Sequence, residues 1–111
     1  MKIIEKSAGL NERQVFTITH GNNLVKLSDN DGRQFDIVEY ILYSDADPKT
    51  GEERELLALV TNDGDILSTN SATVIRTFRD MLEQFELPIK DVVIESGTSK
   101  NGRTFYDIRF A

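Results

Sequence analysis

Cysteine is absent from the 111 residues, so there is no disulfide framework and no thiolate metal site, and nothing points to an oxidising compartment. A cytoplasmic location is the expectation. No apolar run approaches the roughly 20 residues that a membrane span requires, and charges at Lys2, Glu5 and Lys6 break the start too early for a signal peptide. No membrane association is expected. Histidine occurs once, at His20, with no second histidine or cysteine to complete a metal site or a nucleophile–base pair. Neither Gly-x-Gly-x-x-Gly nor the phosphate-loop pattern occurs, so a nucleotide-using enzyme gains no support. Asp29-Asn30-Asp31-Gly32 superficially matches a calcium loop but lacks the alternating ligand spacing and the terminal glutamate, and reads as a turn. The many carboxylates fall mostly in turns, where water solvates them; a general acid needs a desolvated setting. These absences predict a non-catalytic protein with no cofactor and no metal.

Nineteen acidic against 13 basic residues give a formal net charge of -6, whereas a phosphate binder normally presents a basic surface. A polyanion senses the patch within roughly 8 to 10 Å at physiological salt, however, so distribution decides. The acids crowd into Asp29 to Asp31, Asp45 to Asp47, Glu52, Glu53 and Glu55, and Glu83 to Glu86. Residues 100–111 instead carry Lys100, Arg103 and Arg109 against Asp107 alone, which predicts a locally basic carboxy-terminal hairpin.

The length fits one domain, with residues 1–33 as an amino-terminal arm packed on or pairing with residues 34–111. Turn formers crowd the arm, and within it Gln14 to Thr19 reads as an added edge strand or a segment that pairs with a second subunit, which leaves a homodimer open. A first strand is expected over Phe35 to Ser44, with Val38, Tyr40 and Leu42 facing the core. Asp45 to Gly51 is a turn by chemistry, since Pro48 fixes its backbone and Gly51 accepts a positive φ. A second strand follows over Glu55 to Thr61, then a tight hairpin at Asn62-Asp63-Gly64-Asp65 and a third strand over Ile66 to Thr69. Val74, Ile75, Phe78, Met81, Leu82 and Phe85 form one apolar stripe, predicting a helix from Ser71, its cap, to Phe85, stopped by Leu87-Pro88. Strands over Ile89 to Glu95 and Thr104 to Phe110 are joined through Asn101-Gly102, a strong turn signal. Three strands, a helix and two strands is the linear signature of a mainly β, five-stranded Greek-key barrel of the OB type, with its helix between strands 3 and 4.

Such barrels hold single strands of nucleic acid or oligosaccharide on one face, between the loops joining strands 1 and 2 and strands 4 and 5. Base stacking on aromatic rings is worth about 1 to 3 kcal/mol per base, and cations track the phosphates. Tyr43 has the parity opposite to the expected core residues of strand 1, and Phe105 and Arg109 have the parity opposite to Tyr106, Ile108 and Phe110, which read as core. The candidate binding set is therefore Tyr43 and Phe105 as rings, with Lys100, Arg103 and Arg109 as cations and Lys49 and Arg54 approaching from the first loop. Arg76 and Arg79 lie off the helix stripe and read as solvated, pairing with Asp80 or Glu83.

Several of these residues, taken in order, resemble the small single-stranded DNA-binding proteins encoded by phages and conjugative elements of Gram-positive bacteria. They are Leu27-Ser28-Asp29 with Gly32, Tyr40-Ile41-Leu42-Tyr43, Gly51-Glu52-Glu53, Thr69-Asn70-Ser71, Phe78, Ser96 to Lys100, and Gly102-Arg103 with Phe105, spanning residues 27–106. The resemblance implies an OB fold that coats single strands during phage or plasmid DNA replication, without sequence preference or cofactor, in the host cytoplasm if a phage encodes the chain. It places Lys100, Arg103 and Phe105 nearest the strand and makes single-stranded DNA the partner, with replication or recombination proteins beside it. The alternative is an OB-like protein–protein adaptor that docks a basic partner on its acidic surface, a reading that rests on the charge of -6.

Overall fold

The computed structural model describes residues 1–21 and 23–111. The chain order is β1 (Lys2–Lys6), α1 (Glu12–Thr19), β2 (Leu24–Lys26), a 3-10 turn (Leu27–Asn30), β3 (Gln34–Ala46), β4 (Glu53–Thr61), β5 (Ile66–Thr69), α2 (Ala72–Gln84), β6 (Ile89–Thr98) and β7 (Thr104–Phe110). The five strands and the helix expected after residue 34 therefore correspond to β3, β4, β5, α2, β6 and β7. Among the described residues the chain is mainly β: one curled, mixed sheet of seven strands with two helices. Among the described residues no helix is long and apolar enough to cross a membrane.

Turn chemistry shapes the hairpins as expected. Gly64 in the β4–β5 turn has φ 88° and Gly102 in the β6–β7 turn has φ 76°, a region that costs glycine little and other residues more. Helix α2 is capped by Ser71, whose hydroxyl oxygen accepts from the Val74 N–H at 3.3 Å. Its stripe buries Val74, Ile75, Phe78 and Met81 in the curl of the sheet, against Tyr40, Leu42, Leu57, Leu59, Ile94 and Ile108. Arg76 and Arg79 are exposed, and neither forms an ion pair with Asp80 or Glu83 among the described residues.

Strand β3 is the hub. It pairs antiparallel with β4 along one side, and along the other with β6 through Gln34–Ile37 and with β1 through Ile41–Ser44. An irregularity between Ile37 and Glu39 adds a residue, and the inward parity changes there. Phe35 and Ile37 point into the same core as Tyr40 and Leu42, while Val38, expected in the core, sits at the shift only half-buried.

The arm departs most from expectation. Residues 14–19 lie within helix α1 and not in an edge strand. Asn11 and Gln14 close a capping box, Asn11 Oδ1 accepting from the Gln14 N–H at 2.8 Å and Gln14 Oε1 from the Asn11 N–H at 2.9 Å. With the helix started, Val15 and Ile18 fall on one face and cover the outer side of the sheet. That second cluster is Leu10, Ile18, Ile41, Tyr43 and Ala58, flanked by Leu24, Leu56, Val60 and Ile66. Strand β2 adds to β5 in parallel, so the sheet runs β2-β5-β4-β3-β6-β7 and its two ends are β2 and β7.

Candidate nucleic-acid interface

The β6–β7 hairpin carries three of the expected residues at its turn end. Lys100 and Arg103 are exposed and belong to no ion pair among the described residues. Phe105 is 46% exposed, and its ring lies over Gly97, its partner across the ladder: a β-carbon on that glycine would fall 2.5 Å from the ring Cζ. Absence of a side chain at position 97 leaves room for the far end of the ring over the strand.

Arg109 does not belong to that group. It lies six residues, about 20 Å, further along β7 than Arg103. Its Nε donates to Glu95 Oε2 at 3.0 Å and its Nη1 to the Phe110 carbonyl at 2.9 Å. Glu95 and Asp107 face each other across the ladder between Phe105 and Arg109, so the basic character of the hairpin is confined to its turn end. Phe110, expected inside, is 40% exposed and meets Phe85 edge-on at 5.1 Å between centroids; Ile108 is buried and Tyr106 half-buried.

Tyr43 departs further. It does lie on the face opposite Tyr40 and Leu42, as parity requires, but α1 and Leu10 cover that face and leave the ring 4% exposed. Burial, then the nearby Asp45 charge, pushes its phenol above the ordinary value near 10, with Arg54 opposing. The ring is a packing residue under the arm and is not presented for stacking.

Lys49 stands exposed in the β3–β4 turn, which it shares with Asp47 and Glu52. Arg54, at the start of β4, approaches Asp47 only at 3.8 Å and has the parity of Leu56, whereas Glu53 and Glu55 fall on the opposite parity. It borders a groove of about 460 Å³ between the two ends of the sheet. Lys26 of β2, Leu56 of β4, Ser68 of β5, Asn70 and Ser71 at the start of α2, and Tyr106 of β7 line it with Arg54, and among the described residues no carboxylate does. Tyr106 lies three residues, about 10 Å, from Arg103 along the hairpin, while Phe105 takes the face of β7 opposite to Tyr106. Two cations, a ring and several small hydroxyl and amide groups suit a phosphodiester strand: charge for its phosphates, neutral donors for its oxygens, a phenol face for a base.

Lys26 and Tyr106 escaped the sequence reading. Tyr106 has core parity and does pack against the inner cluster, but its ring also reaches the groove because β7 has no neighbour on that side. Lys26 sits in the arm, whose pairing with β5 no local pattern announces. Among the described residues no cluster of His, Cys, Asp or Glu is placed to hold a metal. No family model, curated protein or solved structure is significantly similar to the chain.

Proposed function

We propose that the chain is a non-catalytic, sequence-independent single-stranded DNA-binding protein that protects single strands during phage or plasmid replication, built on a partly open OB barrel. Strands β3, β4, β5, β6 and β7 take the OB roles one to five, with α2 between the third and fourth; the arm's β2 occupies the edge of β5. The observation that carries the reading is the groove with Lys26, Arg54 and Tyr106, which no carboxylate lines among the described residues; the turn end of the β6–β7 hairpin adds Lys100, Arg103 and an outward Phe105. In a molecule of charge -6, a groove that no carboxylate lines among the described residues, with Lys26 and Arg54 on it, lowers the repulsion a polyanion meets. Nothing there reads base edges, so affinity rests on phosphates and stacking.

The experiment is a titration of fluorescently labelled oligo-dT across a salt series. Four neutralised phosphates predict a slope of log affinity on log salt of about -3, at roughly 0.7 per phosphate on a single strand. Duplex DNA competes poorly. Lys26→Ala with Arg54→Ala, or Lys100→Ala with Arg103→Ala, lowers affinity and flattens the slope by about 1.4 each, with the melting temperature unchanged. Absence of binding at low salt, or equal competition by duplex, removes the proposal.

A further inference from the structure

We infer that Asn101 is a self-modification site, and that its conversion to an aspartyl or isoaspartyl residue sets a carboxylate between the two free cations of the hairpin turn. Asn101 is the one asparagine of seven that is followed by glycine, so only there does no side chain shield the next backbone nitrogen. The structure separates it from three of the others. Asn11, Asn30 and Asn62 have their side chains engaged, accepting from the backbone of Gln14, donating to the Lys26 carbonyl and accepting from the backbone of Asp36 respectively. The Asn101 side chain is exposed and makes no hydrogen bond among the described residues.

Two aspartates also precede glycines, but both carboxylates are held: Asp31 accepts from the Ser96 hydroxyl at 2.7 Å, and Asp63 from Arg33 at 3.1 Å.

The chemistry needs water alone. The Gly102 amide nitrogen, having given up its proton, attacks Asn101 Cγ; a bond forms between them, the Cγ–Nδ2 bond breaks, and ammonia leaves with that proton returned. Water then opens the resulting five-membered imide at either carbonyl, giving the aspartyl or the isoaspartyl product. In the closed turn the Gly102 N–H donates to the Ser99 carbonyl at 2.9 Å, so attack requires the turn to open. That turn is closed by backbone bonds from Gly102 to Ser99 and from Ser99 to Arg103, at 2.9 and 2.8 Å, all among exposed residues where local opening is least costly. The product adds one negative charge between Lys100 and Arg103, and the isoaspartyl form also lengthens the turn by one backbone atom. On the single-strand reading above, on which this consequence rests, the modified hairpin loses its grip on phosphate, and a bound strand holds the turn shut and slows the reaction.

Purified protein is incubated warm at mildly alkaline pH and followed by peptide mapping and mass spectrometry. The peptide holding Asn101 gains one mass unit with isoaspartate first, ahead of every other asparagine, and Asn101→Gln abolishes that signal. An unchanged Asn101 peptide, or earlier modification elsewhere, overturns the inference. In a second measurement N101D, which installs the charge without the lengthened turn, binds labelled oligo-dT several-fold more weakly at low salt, with a slope smaller by about 0.7, while N101Q binds as the parent does. Modification at Asn101 with N101D binding undiminished keeps the site and overturns its tie to single-strand binding.

Discussion

Tyr40 shows how one side chain joins the arm to the core. Its backbone N–H donates to the Ser7 hydroxyl oxygen at 2.9 Å, that hydroxyl donates to the Tyr40 carbonyl at 3.2 Å, and the Tyr40 phenol donates to Glu5 Oε1 at 2.7 Å. The ring meanwhile packs edge-on against Phe78 at 4.9 Å. Burial, then the Glu5 hydrogen bond and charge, pushes the Tyr40 phenol well above its ordinary value, with Arg79 opposing, and Tyr43 is shifted the same way. A raised native value means that the unfolded chain releases these protons first. The associated stability is therefore whole below pH about 10 and is lost as pH rises from there through the native values. Each tyrosine contributes a fall of up to about 1.4 kcal/mol per pH unit in that window. Urea unfolding followed from pH 9 upward should show the decline, and Tyr40→Phe should make it shallower; an identical decline in that variant would contradict the assignment to Tyr40.

Elements here depend on what they rest against. Helix α1 has eight residues, too few to persist alone, and carries Val15, Thr17, Ile18 and Thr19, which favour strands. The capping box and the burial of Ile18 on the sheet outweigh that preference. The end of the β6–β7 hairpin depends in the same way on Gly97 lying beneath Phe105. Gly97→Ala places a methyl group where the ring sits and should cost about 1 kcal/mol, the low end for overpacking because Phe105 can swing outward. In the background Phe105→Ala the same change should cost nothing, a coupling that a double-mutant cycle in urea reads directly.

On the proposed single-strand reading, the molecule as a whole must keep a surface open to an anion despite its charge of -6. Sheet geometry segregates the charges. Asp63 and Asp65 are both consumed by Arg33, Glu95 neutralises Arg109 at the far end of β7, and Arg54 has Asp47 at 3.8 Å while Glu53 and Glu55 alternate with it along β4. The Glu95–Arg109 pair is more than half exposed on both sides, so its contribution to stability is small. Glu95→Gln should leave unfolding unchanged, reduce the negative charge by one and tighten oligo-dT binding roughly two-fold at low salt, an effect that vanishes at high salt through screening. Equal affinity at low salt would show that the far end of the hairpin exerts no field on the strand.

Sequence by itself determined what is local. The α2 stripe, its Ser71 cap, the glycine turns at Gly64 and Gly102 and the strands after residue 34 are each settled within a few residues by periodicity and turn chemistry, and Lys100, Arg103 and Phe105 came with their hairpin. Tertiary structure alone decided the arm: α1 as a helix, β2 beside β5, and the burial of Tyr43. Those outcomes depend on partners tens of residues away, which no window of sequence contains. One added residue between Ile37 and Glu39 also reverses every facing before it, so alternation counted along β3 could not assign both ends. Lys26, Arg54 and Tyr106 meet at one groove for the same physical reason: they lie on three strands, and only the curl of the sheet between its two unpaired ends brings them together.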